Sequence, residues 1–582
     1  MQRFFLLVTA CWLGGGVLGE AGATSPDRDL VTFSVISNVG FGNNIHVVGS
    51  HPDLGSWTPT NAIKLRWTTN NVWTGTVAVQ KGTALEYKFM SRSFNSNEFC
   101  NPANAGWEQG ANRTSAVPAA PPAPYTGKVL YYYTSWTNPS VIYRTGFDTN
   151  FFAVPMVNVA PGRTGGEFLF RAAGFGVAGA ELQFVITDNL GSFDKSPFPT
   201  GVGVGGNDYL TPLDALVLQD GQIYNYWPAA SVSAPRSETR NVGSSYAPPI
   251  DGRDIIILLP RGYDSHPWKR YPVMYFQDGQ NLPNGANPGD TGAWDADLIS
   301  QREISGGRMR EVILVGVYNY PDRRRWEYNP PTDTYPAHPQ GEGDDYLRFL
   351  VDNVRPTLDF NYRTLNDPRN TLVGGSSMGG IFSIYAGMET NVFGGVLAMS
   401  PAFTRAPNYK AALAGKTKRP MRIYMDTGNS EGKVGPEGQP GGYYWDDPWD
   451  AYNSLLAIGY IPNLDLMMRV GCGFPLGQHT EVAWRTRLPG AFRFLLPVTD
   501  DPNRINQSEF PPEIDPWTQR DAVPVPTQRR IHYDIEISTN GATWIPSGTR
   551  WTETNAWDQR TLALTNTPAA TTWLRVATTP AD

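Results

Sequence analysis

Thr371-Leu-Val-Gly-Gly-Ser-Ser-Met-Gly-Gly380 is the stretch of this 582-residue chain that decides the fold. Apolar and β-branched residues lead into the G-x-S-x-G pentapeptide of residues 375–379, and a helix-like apolar run follows from Ile381 to Met388. A turn of this kind between a strand and a helix is tight, so small residues flank it and its central serine is lifted clear of the sheet. Glycine-rich turns also occur without chemistry, but the flanking strand and helix favour a nucleophile at Ser377.

A serine hydroxyl needs a general base, and the base needs an acid that orients it. In α/β-hydrolases, the fold class built around such a turn, the order along the chain is serine, acid, histidine. Of the six histidines, only His479 and His532 follow Ser377. His479 stands in a turn that opens a helical stretch, whereas His532 lies in an alternating, strand-like run. We therefore expect His479 to be the base.

Two carboxylates stand between the serine and the histidine, where the acid belongs. Asp426 ends a strand-like run, and Glu431 lies in the loop beyond Gly428. A loop carboxylate reaches an imidazole more easily than one that the pleat of a strand holds. We expect Glu431 to be the acid and keep Asp426 as the alternative.

The oxyanion that forms when a serine attacks a carbonyl is stabilised by hydrogen-bond donors. The stretch Gln277-Asp-Gly-Gln280 contains a glycine turn after a strand-like run, although Asp-Gly also forms ordinary turns. In this fold class the residue after the nucleophile supplies one amide and a loop after an earlier strand supplies the other. The expected donors are the backbone amides of Met378 and Gln280.

Residues 236–500 have the hydrophobic pattern of an α/β domain, a sheet with helices on both faces. Continuous apolar runs indicate buried parallel strands, and helical stretches alternate with them. The runs are Ile255–Leu259, Val273–Phe276, Val312–Val317, Gly395–Met399, Ile423–Met425 and Leu466–Met468.

The rest of the chain predicts β-structure. Residues 27–118 and 128–235 show short alternating runs broken by Gly, Asn and Pro, which indicates two N-terminal β-sandwich modules. A Pro-rich linker separates them at residues 119–127. Residues 501–582 begin as a Pro-rich linker and predict a small C-terminal β appendage, to which the sequence assigns no function.

Composition limits the partners and the cell compartment. The net charge is −7 and no basic run occurs, so we expect no nucleic acid partner. Residues 1–23 have a basic start, an apolar stretch and a small-residue cleavage site, which predicts a signal peptide and a secreted protein. No later stretch is long enough to span a bilayer, so we expect no membrane contact.

The cysteines and the potential ligand residues predict no cross-link and no metal. Cys100 and Cys472 lie far apart in sequence, and we expect two structural thiols with no disulfide. Neither their number nor their spacing predicts a metal site. We expect no organic cofactor.

The N-terminal module resembles a starch-binding domain of carbohydrate-binding module family 20. The resemblance lies in Val48-Gly-Ser-His-Pro-Asp-Leu-Gly-Ser-Trp57, Glu86–Phe89, Trp107-Glu108 and Asn112-Arg113. Exposed loop tryptophans suit stacking on the apolar face of a sugar, although each could instead pack beneath its own loop. The resemblance implies an α-1,4-glucan site formed by Trp57, Lys88 and Trp107, with Asn112 as a neighbour.

The second module resembles carbohydrate-binding module family 25, another starch-binding family. The matching stretches are Phe184–Asp194, Gly206–Tyr209 and Leu218–Ile223. Phe193 stands where that family stacks a tryptophan. The resemblance implies the fold of the module.

Residues 236–500 resemble the esterase family that includes esterase D, feruloyl esterases of carbohydrate esterase family 1, enterochelin esterases and the antigen 85 acyltransferases. The matching stretches are Tyr271–Gln280, Arg325–Tyr328, Gly375–Gly379 and His479 with Trp484. The resemblance implies a serine hydrolase with a Ser/acid/His triad. We expect Arg325 to pair with Glu327 beside the site, and Trp326 to line an acyl or aromatic pocket. Trp445 and Trp449 also hint at an aromatic-lined cleft, although tryptophans in loops pack as core as well.

The sequence thus predicts a secreted serine esterase that an N-terminal module carries to starch or a related α-glucan. Its ester substrate would react through an acyl-enzyme on Ser377. One alternative is an acyltransferase of the same fold with a sugar hydroxyl as acceptor. Another is a glucan-binding protein whose hydrolase domain is inert.

Overall fold

The computed structural model describes residues 28–40, 42–93, 99–117, 127–146, 148–200, 206–245, 251–286, 292–334, 340–431 and 445–501. It also describes the backbone of five strands between residues 522 and 580. The predicted signal peptide and nearly all of the Pro-rich linker at 119–127 lie outside the described residues.

Eight strands form the central sheet of the hydrolase domain (residues 236–500): β1 Arg236–Val242, β2 Arg253–Leu259, β3 Val273–Phe276, β4 Ile313–Val317, β5 Thr371–Ser376, β6 Gly395–Met399, β7 Arg422–Gly428 and β8 Leu466–Gly471. Their order in the sheet is β1-β2-β4-β3-β5-β6-β7-β8. β2 is antiparallel to β1 and to β4, and the remaining pairs are parallel. The carboxyl ends of the parallel strands therefore meet at one edge, where this class of sheet binds ligands.

Helices cover both faces of this sheet. They are α1 Ala296–Ser305, α2 Arg324–Glu327, α3 Gly343–Phe349, α4 Arg355–Asn361, α5 Met378–Glu389, α6 Pro407–Ala412, α7 Asp446–Ala457 and α8 Glu481–Leu495, and a π-helical turn at Leu350–Val354 joins α3 to α4. Alternate strand residues enter opposite cores, so Val373 packs with the core on one face and Leu372 with the core on the other.

Two β-sandwiches precede the hydrolase domain. The N-terminal module has strands Arg28–Ile36, Asn43–Gly49, Ile63–Lys64, Arg66–Trp67, Val72–Gln80, Ala84–Ser93, Gly106–Trp107 and Arg113–Ala116 in two sheets. The second module has strands Lys128–Thr134, Ser140–Thr145, Phe152–Pro155, Val157–Pro161, Phe168–Phe175, Leu182–Thr187, Phe193–Asp194, Tyr209–Thr211, Ala215–Gln219 and Gln222–Tyr224, also in two sheets.

The C-terminal strands form two further small sheets. Ala522–Thr527 pairs with Asp558–Ala563, and Ile531–Ser538 lies between Ile545–Thr552 and Trp573–Pro580. His532 therefore lies in a strand, as its alternating neighbours predict. The predicted fold class, two β-sandwich modules, an α/β-hydrolase domain and a β appendage, is confirmed.

The expectation of two free thiols is wrong: Cys100 and Cys472 form a disulfide across 372 positions of sequence. Cys100 belongs to the N-terminal module, and Cys472 directly follows β8, the edge strand of the central sheet. Sequence separation does not report spatial distance, and the module folds back along β8. Asn463 Nδ2, before β8, donates to the Asp53 carbonyl at 2.7 Å.

Trp445 and Trp449 pack as core and do not line a cleft, so the second of the two interpretations of these tryptophans holds. Both are almost fully buried, and their rings contact Phe99 of the N-terminal module at centroid distances of 5.4 and 5.9 Å. Trp445 and Trp449 therefore hold the N-terminal module against the hydrolase domain through their contacts with Phe99.

The second module contacts the hydrolase domain at the amino ends of the strands of the central sheet. The Tyr226 hydroxyl donates to Glu311 at 2.6 Å, and Lys269 pairs with the same carboxylate at 2.9 Å. Glu311 precedes β4, so this contact lies at the amino ends of the strands. The carboxyl ends are left for the site described next.

Candidate active site

Ser377 occupies the turn between β5 and α5 in a left-handed backbone conformation, with φ +56°. A non-glycine residue held in a sparsely populated region costs about 1–3 kcal/mol. A Cβ atom at Gly375 would lie 2.8 Å from the carbonyl carbon of Gly379, so the turn closes only with glycine there. The buried face of α5 and a hydrogen bond from the Ser377 amide to the Met399 carbonyl, 2.9 Å, hold the turn.

The structure brings His479 and Glu431 together. The Nδ1 of His479 lies 3.2 Å from Glu431 Oε2, and the Glu431 side chain is fully buried while His479 is partly exposed. The ring edge of His479 packs against Trp484 at 5.0 Å between centroids. Because Nδ1 faces Glu431, the other ring nitrogen of His479, Nε2, is the one that can act as a base.

Asp426, the alternative acid, is fully buried and faces other partners. Its Oδ1 accepts from the Ser400 amide at 2.9 Å, and its Oδ2 lies 3.2 Å from Arg487 Nε. Burial raises the pKa of Asp426 to about 6, the neighbouring Glu431 carboxylate adds to the rise, and Arg487 opposes it. The geometry thus gives Asp426 a supporting position beneath the pair of His479 and Glu431.

Ser400 and Arg487 complete this arrangement, and the sequence reasoning missed both. The Ser400 hydroxyl donates to Glu431 Oε1 and accepts from Trp484 Nε1 and an Arg487 nitrogen at 2.9 and 2.8 Å. Arg487 also donates to Glu431 Oε1 at 3.1 Å. A serine directly after β6, next in the sheet to the strand of the acid, was the available signal.

Hydrogen bonds also join the loop of the acid to the loop of the histidine. Asn429 Oδ1 accepts from the Gly473 amide at 2.9 Å, and the Ser430 amide donates to the Gly477 carbonyl at 2.7 Å. The position of Glu431 therefore depends on the loop that ends in His479. The Cys472 disulfide anchors the start of that loop.

Ser377 and the His479–Glu431 pair flank the same short segment. The Met399 carbonyl accepts from Ser377, and the next residue, Ser400, bonds to Glu431. Ser377 thus follows β5, Ser400 follows β6 and Glu431 follows β7, all at the carboxyl ends of neighbouring strands, and His479 lies in the loop after β8.

The two expected oxyanion donors stand at the starts of helical turns. Met378 is the first residue of α5, and Gln280 lies in a 3₁₀ turn at Gly279–Asn281. First-turn amides have no partner within their own helix. Asp278, with φ +57°, turns the chain there, and Arg324 holds its carboxylate through two bonds of 2.7 and 2.8 Å.

A cleft of about 430 Å³ opens at Ser377. Its walls are formed by Ser377, Met378, Pro321, Ala402 and three arginines, Arg324, Arg325 and Arg405. Burial alone would lower the pKa of Arg324, but the Asp278 carboxylate offsets this and holds the pKa above its usual range.

The expected pair of Arg325 and Glu327 is wrong. Both oxygens of Glu327 bond to Arg253, at 2.8 and 2.9 Å, in a buried bidentate pair. Residues two apart on a helical turn point in different directions, so Arg325 reaches the cleft and Glu327 the interior. Trp326 is half-buried, with the Arg323 guanidinium 5.9 Å from its ring.

The expected glucan-site residues cluster on the N-terminal module. Trp57 and Trp107, both half-buried, pack on one small apolar cluster with Val48 and Met90. Lys88 Nζ donates to the Gly110 carbonyl at 2.7 Å, in the loop after Trp107.

Asn112 of the N-terminal module and Phe193 of the second module are both exposed side chains. Asn112 is exposed and donates to Glu86 at 3.0 Å. In the second module, Phe193 is half exposed beside Lys195, while the neighbouring Asp194 accepts from two tyrosines, Tyr132 and Tyr209.

The part of the chain that the structure describes contains neither a membrane-spanning helix nor a metal-binding cluster. Within the ranges given above, no helix combines the length and apolarity needed to cross a bilayer. In the same ranges, no three His, Cys, Asp or Glu side chains converge as a metal site would require.

Comparison with known families assigns both functional parts of the chain. The model of the starch-binding domain family (CBM_20) matches residues 30–124, and the model of the family described as "Putative esterase" matches residues 251–495. Residues 30–124 thus match the starch-binding domain family, and residues 251–495 match the esterase family within a domain that has an α/β-hydrolase fold.

Known proteins are similar to this chain only over short segments. An α-amylase of Streptomyces violaceus is 39% identical over 89 residues, which are 15% of this chain and 14% of that protein. Glucoamylase-1 of Schizophyllum commune is 32% identical over 110 residues, 19% of this chain and 17% of its own. The chain therefore spans only a small part of the length of these relatives.

Solved structures are similar to parts of the chain at low identity and low TM-score. An IroE-like serine hydrolase from Shewanella oneidensis has a TM-score of 0.36 and 20% identity, covering 45% of this chain and 80% of its own. A ferulic acid esterase from Anaeromyces mucronatus has a TM-score of 0.32 and 22% identity, and the match covers 49% of this chain and 99% of the esterase. The enterobactin esterase of Shigella flexneri has a TM-score of 0.33 and 14% identity, covering 82% and 96%.

Proposed function

We propose that the protein is a serine carboxylic-ester hydrolase that its N-terminal module carries to α-glucan. The observation that supports this most is the buried Glu431 carboxylate against His479 Nδ1 at 3.2 Å. Ser400 bonds to Glu431, and the preceding residue, Met399, accepts from the amide of Ser377 in its strained strand–helix turn. Along the chain, the nucleophile Ser377, the acid Glu431 and the base His479 follow the order that α/β-hydrolases use.

In the proposed reaction Ser377 Oγ attacks the ester carbonyl while His479 Nε2 takes its proton. Glu431 fixes the imidazole so that Nδ1–H points at the carboxylate, and it stabilises the charged ring. The Met378 and Gln280 amides hold the oxyanion; losing one such donor typically costs roughly 10²–10³ in rate. His479 then protonates the leaving alcohol, and a water molecule, activated by His479, releases the acid from Ser377.

Hydrolysis of aryl esters of graded acyl size, by wild type and by Ser377→Ala, tests the reaction. We expect turnover with wild type and a loss of about 10⁴-fold or more in the variant, since the triad acts as a unit. Ser454→Ala is the control, because that hydroxyl bonds within α7, away from the site. Equal rates for Ser377→Ala and wild type would overturn the proposal.

Targeting to glucan is tested separately by sedimentation with granular starch. Trp57→Ala and Trp107→Ala should each weaken binding, because the two rings share one cluster beside Lys88. Phe360→Ala removes an exposed aromatic ring of the hydrolase domain and serves as the control. Unchanged sedimentation of both tryptophan variants would contradict this part of the proposal.

We further propose that the protein is secreted. A disulfide between modules is typical of oxidising compartments, and the Cys100–Cys472 bond is one. Amino-terminal sequencing of the protein from the culture medium would test this, with cleavage near residue 23 expected.

A further inference from the structure

Three arginines face the cleft that contains Ser377, and the proposed reaction uses none of them. Arg324, Arg325 and Arg405 line the same cavity of about 430 Å³ as Ser377 and Met378, with Pro321 and Ala402 as the other lining residues. The lining residues thus carry three positive charges and no carboxylate. The chain as a whole has a net charge of −7, so this local excess runs against its composition.

The arginines approach Ser377 from both sides. Arg324 and Arg325 lie in α2, which follows β4, and Arg405 ends the 3₁₀ turn at Phe403–Arg405, which follows β6. In the sheet β4 and β6 flank β3 and β5, and β5 ends at the nucleophile turn. Guanidinium groups therefore bracket the place where an ester carbonyl would sit.

The three arginines differ in how firmly protein neighbours hold their guanidinium groups and in how exposed they are. Asp278 holds the guanidinium plane of Arg324, which lines the cleft, by two bonds. Arg325 and Arg405 are exposed. Each guanidinium has five N–H donors, so one that bonds to a protein neighbour retains donors for a ligand. Arginine binds carboxylate and phosphate oxygens in a bidentate manner, with charge-assisted bonds.

We propose that the cleft selects esters that carry an anionic oxygen group close to the reacting carbonyl, and that Arg325 and Arg405 are the residues that determine this specificity. The inference rests on the proposed ester hydrolysis at Ser377. The anionic group can stand on the acyl or on the alcohol side, and the experiment distinguishes the two.

Two matched pairs of substrates test the proposal. On the acyl side, p-nitrophenyl hydrogen glutarate is compared with its methyl ester; on the alcohol side, 4-acetoxybenzoate is compared with methyl 4-acetoxybenzoate. The quantity measured is the ratio of kcat/KM for the anionic ester to that for the neutral ester. A charge-assisted bond is worth roughly ten-fold or more, so we expect a ratio of about 10 or higher in at least one pair.

The variants separate specificity from structure. Arg325→Gln with Arg405→Gln should lower the ratio about ten-fold or more, through KM of the anionic ester. Arg369→Gln, an exposed arginine just before β5 and so at the far end of that strand from Ser377, should leave it unchanged. Added salt should also reduce the wild-type ratio, because screening weakens exposed charge pairs.

Two results would overturn the inference. If wild type hydrolyses the neutral ester of both pairs as well as the anionic one, with turnover that Ser377→Ala abolishes, the selectivity is wrong and the proposed function stands. If no ester of either pair or of the graded panel shows turnover that depends on Ser377, both fall together.

Discussion

Glu431 Oε2 lies 3.2 Å from His479 Nδ1, whereas Asp426 is committed to Ser400 and Arg487. Glu431→Gln should therefore lower kcat by about 10³–10⁴-fold, because an amide does not hold the required tautomer or stabilise the imidazolium. Asp426→Asn should reduce kcat far less. Steady-state hydrolysis of one aryl ester by both variants measures the difference, and a larger loss for Asp426→Asn would assign the acid to Asp426.

Arg487 neutralises two buried carboxylates, Asp426 and Glu431. Arg487→Met should lower the free energy of unfolding by about 3–5 kcal/mol, since one partner of a buried ionic network is removed and the charges remain. Urea unfolding followed by tryptophan fluorescence measures the change. Arg369→Gln, at an exposed site, is the control, and equal midpoints for the two variants would show that the network adds no stability.

The Cys100–Cys472 disulfide closes a loop of 372 positions and anchors the segment that leads to His479. Replacing both cysteines by serine should cost about 2–5 kcal/mol of stability. It should also raise proteolysis between the N-terminal module and the hydrolase domain. The Phe99 contacts with Trp445 and Trp449 remain in this variant, so the module should still dock. Unfolding and digestion curves identical to wild type would contradict the prediction.

His266 links the second module to the hydrolase domain and is buried without charge. Its Nε2 accepts from the Ala229 amide at 2.9 Å, and its Nδ1 lies 2.8 Å from the Gly262 carbonyl. Burial first, and the nearby Lys269 second, lower its pKa to about 4.

Because the folded pKa of His266 is below the unfolded value, the unfolded chain binds the extra proton. Stability should fall as the pH drops below about 6.5, by at most about 1.4 kcal/mol per pH unit, until about pH 4. Urea unfolding at several pH values measures this slope. His266→Gln should flatten it, and an equal slope for the variant and wild type would show that another group is responsible.

The sequence predicted the parts of the structure that depend on local pattern. The apolar runs of the hydrolase domain and the glycine turn at Ser377 are visible in a few neighbouring residues, because burial on both faces and a tight turn each restrict residue type. What it missed depends on contacts between distant segments. Cys100 with Cys472, Phe99 with Trp445, and Glu327 with Arg253 are pairs that only the folded chain defines.

In the candidate site, too, the sequence indicated the residues that a local pattern marks and missed those that only long-range packing brings together. The order of residues indicated Ser377, His479 and the two possible acids, but Ser400 and Arg487 become visible only when β6, β7 and α8 are packed together. The tryptophans at 445 and 449 were ambiguous because an aromatic residue has the same sequence signature whether it contacts a substrate or another module.

The central claim is that Ser377 is a nucleophile activated by His479. Reaction of the intact protein with a fluorophosphonate, followed by peptide mass spectrometry, tests this most directly. The account predicts one adduct, on the peptide that contains Ser377, formed rapidly by wild type and at least about 10³-fold more slowly by His479→Ala. An unlabelled Ser377 in protein that still hydrolyses esters would contradict it.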